Sequence, residues 1–216
     1  AQSSSLAVHN ISNIGLARTL AGCIFPVGLM MIVFVGGELF TGDCMMSMAW
    51  MQRKIHFADM LRTLVLVYVS NFVAALIAFL VAHSGQYDYS SGALGAYTIK
   101  VAYGKVHLSF ANALVSGILC NILVCVAVLM AAAAKDIAGK VLAIFFPILA
   151  FVVSGFEHCV ANMYYIPAGI FASKNAAYAA KALELYNIDS TQLSSLNWGS
   201  FAISNLIPVT IGNIIG

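Results

Sequence analysis

The chain alternates between long apolar runs and short polar segments. The runs cover residues 14–36, 57–82, 106–134, the stretch around Pro147 that ends at Gly155, and 198–216. Each run is near the roughly 20 residues that a helix needs to cross a bilayer, whereas the apolar pieces at 44–51 and 160–171 are too short. The pattern predicts an all-α integral membrane protein with two broken helices, and it predicts polar loops at 84–104 and 172–197.

The stretch 146–158 contains a cluster that lipid does not tolerate. It is apolar for about three helical turns and then presents Gly155, Glu157 and His158 in quick succession. An ionisable residue within an apolar span costs about 2.5–3.5 kcal/mol on insertion scales, so it faces protein or a water-filled path. We expect a helix break near His158, and the Gly-rich acidic segment 36–43 predicts a second break near Leu39.

An internal repeat relates the two breaks. Three features match in order: Ile24-Phe25-Pro26 with Phe145-Phe146-Pro147, Gly37-Glu38 with Gly155 and Glu157, and Ser70-Asn71 with Ser204-Asn205. The broken spans are three crossings apart, so the second copy is inverted, and such repeats place a pathway at the membrane midplane. We predict one transmembrane domain over 1–216, with repeats at about 1–84 and 105–216. Six spans are expected in the complete protein, with a first helix and most of a last one outside this sequence.

Composition and charge exclude most other classes. The chain is 62% hydrophobic and 8% charged, with a mean hydropathy of +0.94 and a formal charge of +2. Soluble domains carry about 25% charged residues, and so small a charge does not indicate nucleic-acid binding. Five cysteines without a Cys-x-x-Cys pair suggest no zinc site or disulfide framework, and no cofactor motif is present. The basic turns at 53–54 and 135–140 fall on one side by crossing parity, which the positive-inside tendency makes cytoplasmic.

Three motifs resemble the signatures of the formate/nitrite transporter family of anion channels. They are Gly37-Glu38-Leu39-Phe40-Thr41, then Gly155-Phe156-Glu157-His158 with Ala161-Asn162-Met163, and finally Asn205-Leu206-Ile207-Pro208-Val209-Thr210 with Gly212-Asn213. The resemblance covers essentially the whole chain, which looks most like the bacterial hydrosulfide channel subgroup. It implies an aquaporin-like fold of three plus three transmembrane helices, a homopentamer in a bacterial inner membrane, and a pore for small monovalent anions in each protomer.

The resemblance also implies which residues form the pore. The polar pore and selectivity positions are His158, Thr41, Lys105, Asn121 and Glu157. The apolar constrictions are Phe25, Leu29 and Phe151 on the outer side, and Leu39 with Val124 on the inner side. From the residues alone, Phe25 and Leu29 are four apart and share a helix face. An apolar ring forces a small anion to shed water, so donors placed between two rings would replace that water. Asp43 adds a carboxylate after the first motif, which is a departure from the family pattern.

Three of the polar candidates also have a purely structural interpretation. His158 could be a satisfied core histidine, and Thr41 could cap the helix piece that begins near Cys44. Lys105 could be a solvated loop charge instead of a charge that draws anions toward the narrow part.

The remaining polar residues of the repeat are expected to be structural. Glu38 and Glu157 should accept hydrogen bonds from backbone N–H groups that the breaks leave free. Asn71 and Asn205 should join neighbouring spans through their amides.

Three function classes compete for this sequence. A passive anion channel is predicted, with hydrosulfide favoured among hydrosulfide, formate and nitrite. A proton-coupled secondary anion transporter is the alternative, because inverted repeats with broken helices also build alternating-access carriers. The neighbouring Glu157 and His158 could serve acid–base chemistry. However, no nucleophile or metal-ligand spacing accompanies them, so we do not predict an enzyme.

Overall fold

The computed structural model describes residues 11–216, and this part of the chain is helical with no β-strand. Five helical stretches within it are long and apolar enough to cross a membrane: Ile14–Val35, Phe57–His83, Phe110–Ala133, Ile137–Ser154 and Trp198–Ile215. We number them as the first to fifth spans. They correspond to the five apolar runs of the sequence, so the all-α membrane architecture is confirmed. The first ten residues of the predicted first repeat lie outside the described residues.

The first half of the chain contains two spans and the first break. Its helices are α1 (Ile14–Gly22), α2 (Pro26–Val35), α3 (Phe40–Asp43), α4 (Met46–Met51), α5 (Phe57–Asn71) and α6 (Val73–His83). The first span is interrupted between α1 and α2, where Pro26, which lacks a backbone N–H, stands at the start of α2.

The second half contains three spans and the second break. After a 3₁₀ turn at Gln86–Asp88 its helices are α7 (Ala93–Val106), α8 (Phe110–Ala133), α9 (Ile137–Ser154), α10 (Cys159–Ser173), α11 (Ala176–Tyr186) and α12 (Ser190–Ser194). The fifth span joins α13 (Trp198–Ser200), a π-helical stretch (Phe201–Leu206) and α14 (Ile207–Ile215). The predicted short pieces at 44–51 and 160–171 thus correspond to α4 and α10.

Both predicted helix breaks are present and have the same local shape. Helix α2 ends at Gly36 and α9 ends at Gly155, with φ of 69° and 74°, the left-handed conformation that glycine adopts without strain. The helices that follow begin directly after Leu39 and His158, which are both extended, with φ of −131° and −120°. The breaks therefore lie where the sequence places them, and the inverted repeat as a whole stays a prediction.

The predicted loops at 84–104 and 172–197 are wrong. They contain α7, α11 and α12, and their small residues serve helix packing instead of turns. A Cβ on Gly95 would lie 2.6 Å from the Tyr178 ring, and one on Gly169 would lie 2.2 Å from the Cβ of Ala102. Glycine at these positions therefore lets α7 pack closely against α10 and α11.

Close packing of α8 against α14 brings the end of the chain to the second break. A Cβ on Gly212 would lie 2.3 Å from the carbonyl oxygen of Leu114 and 3.0 Å from the Cα of Gly117. The two backbones can approach so closely only because both helices carry glycine at the crossing. The next residue, Asn213, is fully buried, and this approach places it beside His158 and its neighbours.

Candidate functional site

His158 and Thr41 connect the two breaks at the centre of the protein. The Nε2 atom of His158 lies 3.0 Å from Oγ1 of Thr41, and both side chains are buried. On the other edge of the ring, Nδ1 accepts a hydrogen bond of 3.1 Å from the backbone N–H of Ala161. Because Nδ1 accepts, the proton of the neutral ring is on Nε2, and this N–H donates to Thr41. The Thr41 hydroxyl proton then remains able to donate to a third group.

This geometry decides two of the structural alternatives. Thr41 lies inside α3 and caps neither α3 nor α4, whose preceding residues Leu39 and Met45 make no side-chain capping bond. The capping interpretation of Thr41 is therefore wrong. His158 does cap α10 through Nδ1, but its second nitrogen points to the other break, so capping does not account for the whole side chain.

At both breaks, asparagine side chains and not glutamates accept the hydrogen bonds of the backbone N–H groups that the breaks leave free. Oδ1 of Asn71 accepts from the N–H of Phe40 at 3.1 Å, and Oδ1 of Asn213 accepts from the N–H of Cys159 at 2.8 Å. These N–H groups open α3 and α10 and have no partner within their helices. The expectation that Glu38 does this is wrong, since Glu38 is exposed and the described residues show no backbone bond to its carboxylate.

Glu157 instead forms the centre of a buried polar network. Its Oε1 accepts from Nζ of Lys105 at 2.8 Å, and its Oε2 accepts from Nδ2 of Asn162 at 2.7 Å and of Asn205 at 3.3 Å. Asn205 also donates to the carbonyl of Lys105 at 2.9 Å, so this amide joins the fifth span to α7, which is not one of the five spans. The expected backbone donors to the Glu157 carboxylate are thus replaced by side chains. Lys105 lies in the last turn of α7 with its side chain 18% exposed, so it is not a loop charge.

Two cavities meet at His158. The first, the chamber, has a volume of about 400 Å³, and its walls include all five predicted constriction residues together with His158: Phe25, Leu29, Leu39, Val124 and Phe151. The second, the vestibule, has a volume of about 450 Å³, and its walls include the charged side chains of Arg18, Lys100, Lys105 and Glu157.

Phe25, Phe151 and His158 belong to the walls of both cavities. The two phenylalanine rings contact edge to face with their centroids 5.4 Å apart, and we call this pair the neck. The arrangement places an apolar contact and a hydrogen-bonding histidine at the boundary between a charged cavity and an apolar one.

Asn121 is placed differently from the prediction. It is fully buried, and its Nδ2 donates to the backbone carbonyl of Asn213, so it joins α8 to α14. It belongs to the walls of neither cavity. Asn213 itself makes two further bonds, from Nδ2 to the carbonyls of Gly117 at 2.8 Å and Glu157 at 3.1 Å.

Asn162, Asn213 and Lys100 are not among the site residues predicted from the sequence. The first two stand in the family motifs, so the sequence does contain a signal for them. Lys100 falls in the segment 84–104, which the sequence pattern predicts to be a loop, so its place on a helix is not predictable from that pattern. Among residues 11–216, no group of three or more His, Cys, Asp or Glu side chains is arranged to hold a metal ion.

Comparison with known proteins agrees with the fold and the motifs. A family model described as formate/nitrite transporter matches residues 2–216. The chain belongs to the formate/nitrite transporter family. It is 38% identical over 203 residues to "Formate channel FocA" of Haemophilus influenzae, covering 94% of this chain and 71% of that protein. It is 39% identical over 217 residues to "Probable formate transporter" of Methanothermobacter thermautotrophicus, covering 94% of this chain and 72% of that protein.

Solved structures of the family have the same fold. The protein aligns with "Pentameric formate channel with formate bound" at a TM-score of 0.86 and 32% identity, covering 100% of this chain and 84% of that one. A second structure, "FNT family ion channel", aligns at a TM-score of 0.76 and 26% identity, covering 99% and 79%. The family prediction and the multi-pass membrane prediction are confirmed. These relatives are named as channels or transporters, which agrees with a protein that is not an enzyme. The hydrosulfide subgroup stays a prediction.

Proposed function

We propose that this protein is a channel that passes small monovalent anions of weak acids through a path in each protomer. The observation that carries the proposal is His158, which is buried and belongs to the walls of both a charged vestibule and an apolar chamber. Its Nε2 atom lies 3.0 Å from Oγ1 of Thr41, which is fully buried and belongs to neither cavity wall. Buried polar side chains are costly unless they are bonded, and here the Thr41 hydroxyl proton is left for a further acceptor. An anion supplies that acceptor.

The order of side chains along the path gives the mechanism. An anion in the vestibule meets the Phe25–Phe151 neck, where its hydration shell does not fit between apolar rings. Beyond the neck, the Thr41 hydroxyl, which accepts from the His158 N–H, offers its own proton in place of the lost water. The walls of the chamber then offer no charge to hold the ion, so it leaves easily. An anion whose conjugate acid forms readily has a second advantage, because a neutral molecule crosses apolar walls without the desolvation cost of a charge.

Formate is the first substrate to test, because both relatives compared above are named for formate and one solved relative contains it. Nitrite follows from the description of the family. Hydrosulfide is included because the sequence resembles the hydrosulfide channel subgroup. All three are small, singly charged conjugate bases of weak acids, so the proposed path suits each of them.

A homopentamer in a bacterial inner membrane is the proposed assembly. A solved relative is described as pentameric, and the isolated protomer exposes large apolar side chains along whole helices. On the second span, Leu61, Val65, Leu66, Val69 and Val73 are each about half exposed or more. Such side chains require lipid or a neighbouring protomer against them. The basic turns at 53–54 and 135–140 would face the cytoplasm.

Anion flux into proteoliposomes tests the proposal. Purified protein is reconstituted, and the initial influx of formate, nitrite, hydrosulfide and chloride is followed by stopped flow at neutral pH or above, against empty liposomes. We expect weak-acid anions to enter well above background, in proportion to their concentration and in response to an imposed voltage. Absence of flux for all four anions would overturn the proposal. Saturating flux that is stimulated by anion on the opposite side would establish the carrier alternative instead.

A further inference from the structure

This inference rests on the proposed function. We propose that Lys100 supplies the charge that draws anions into the vestibule, whereas the charge of Lys105 is neutralised by the carboxylate of Glu157. Both lysines are on α7 and both belong to the vestibule walls. Lys105 is bonded to the Glu157 carboxylate at 2.8 Å. An ion pair so close presents little net charge to an anion that is still several ångströms away.

The charges of the vestibule walls support this division. The walls carry three cations, Arg18, Lys100 and Lys105, and one carboxylate, Glu157. Within residues 11–216, neither Arg18 nor Lys100 forms an ion pair, and the sequence of residues 1–10 contains no carboxylate. The net positive charge of the vestibule therefore comes from Arg18 and Lys100. Low-dielectric cavity walls focus such a charge and raise the local concentration of anions.

Lys100 is the vestibule cation that also belongs to the walls of a third cavity. This cavity, which we call the entrance cavity, has a volume of about 510 Å³, and its walls include Tyr186 and Asn187 at the end of α11 and Gln192 of α12. Arg18 and Lys105 are not among the residues of that cavity. Lys100 thus lies between the entrance cavity and the vestibule, where an anion would pass first.

Aromatic rings hold the Lys100 ammonium group without neutralising it. Its Nζ lies 4.6 Å from the centroid of the Tyr186 ring and 5.9 Å from that of Tyr97. A cation over the face of an aromatic ring is stabilised and yet keeps its full charge, unlike a cation bonded to a carboxylate. The helix α11, which supplies Tyr186, therefore positions a steering charge at the vestibule.

Charge variants of Lys100 give a graded test. At formate concentrations far below saturation and at low ionic strength, one unit charge about 10 Å from a passing ion changes its local concentration by about twofold in water. We expect the initial influx to fall by about twofold in Lys100→Gln and about fourfold in Lys100→Glu, since the second change removes two charge units. In about 1 M salt of a large impermeant anion, both differences should vanish, because the screening length is then about 3 Å.

Three further variants separate steering from damage to the fold. Lys174→Gln is the matched control, because Lys174 is exposed, lies 5.8 Å from the Phe171 ring and is outside the vestibule walls; its influx should equal that of the wild type. Lys105→Gln should lose influx at every ionic strength, because it breaks the Glu157 network. In Lys100→Cys, a cationic membrane-impermeant methanethiosulfonate should restore influx and an anionic one should lower it further. The wild type, treated in the same way, controls for its own cysteines.

The outcomes distinguish this inference from the proposed function. If the wild type passes no anion, the proposed function fails. If the wild type passes formate and Lys100→Gln matches it at low ionic strength, only the steering role of Lys100 is overturned. If the influx of Lys100→Gln is reduced and the reduction is the same in high salt, the steering role of Lys100 is also overturned, because the effect of a steering charge must weaken when salt screens it.

Discussion

Replacing Glu157 by glutamine tests how much the polar network beside His158 stabilises the folded protein. We expect the effect to be as large as that of breaking a buried ion pair. The carboxylate accepts three donors, from Lys105, Asn162 and Asn205, at 2.7 to 3.3 Å. Glutamine offers one oxygen in place of two, so its NH₂ group must face at least one of these donors. The substitution also leaves the Lys105 ammonium group without its counter-charge.

The size of the effect follows from the burial of the pair. Removing one partner of a buried ion pair costs about 3–5 kcal/mol. The lower end applies here, because the Lys105 side chain is 18% exposed and that of Glu157 is 6% exposed. For chains of about this length each kcal/mol lowers the melting temperature by about 2–4 °C, so Glu157→Gln should lower it by about 6–12 °C. The measurement is the apparent melting temperature of the purified protein in detergent.

Two comparisons make this result specific. Glu184→Gln removes an exposed pair with Lys181 at 3.0 Å, which is worth about 0–1 kcal/mol, so its melting temperature should hardly move. The double variant of Glu157→Gln with Lys105→Met should lower the melting temperature by less than the sum of the decreases in the two single variants. The reason is that the double variant leaves no unpaired charge. A melting temperature for Glu157→Gln as close to the wild type as that of Glu184→Gln would refute the reasoning.

Two further predictions concern the packing of two helices and the pKa of a buried tyrosine. Gly212→Ala should lower the apparent melting temperature through a loss of about 2 kcal/mol, because its Cβ would lie 2.3 Å from the Leu114 carbonyl; Gly28→Ala, with nothing within 4 Å, should not lower it. Tyr178 donates a 2.6 Å hydrogen bond to Asp88, which together with burial raises the pKa of Tyr178 to about 12. This pKa is above its unfolded value of about 10, so the contribution to stability is complete below about pH 10 and is lost toward pH 12. A pH scan of the melting temperature should show this loss in the wild type and not in Tyr178→Phe.

The spans and both breaks were predictable because their signals are local. Apolar length indicates a span, and glycine followed by an ionisable residue within an apolar run indicates a break, as at Gly155 and His158. Helix α7 was missed because glycine, serine and tyrosine at 84–104 are typical of loops. The structure shows that Gly95 fits beneath the Tyr178 ring, and that partner is too distant in sequence for any local pattern to reveal it.

The residues of the site were partly predictable, but their partners were not. Motif resemblance identified His158, Thr41 and Glu157 as a group. The pairing of Glu157 with Lys105 joins residues 52 positions apart, and the capping of Cys159 by Asn213 joins residues 54 apart. Both depend on how α7 and α14 pack against the second break. Local sequence also gave no reason to prefer Asn213 over Glu157 as the acceptor for the freed backbone N–H.

Anion flux through His158 variants tests the central claim most directly. Formate and chloride influx are measured in proteoliposomes for the wild type, His158→Asn and His158→Phe. Each variant is first shown by size-exclusion chromatography to elute at the same volume as the wild type, so that its assembly is intact. His158→Phe removes the N–H that orients the Thr41 hydroxyl toward the anion. A hydrogen bond to a charged group is worth about 1.5–3 kcal/mol, so losing the Thr41 bond to formate should reduce formate influx by about tenfold or more. His158→Asn keeps an acceptor for the Ala161 N–H and a donor, so it should retain more influx and change the formate-to-chloride ratio. Formate influx and selectivity that match the wild type in both variants would show that His158 only packs, and would contradict the proposed path.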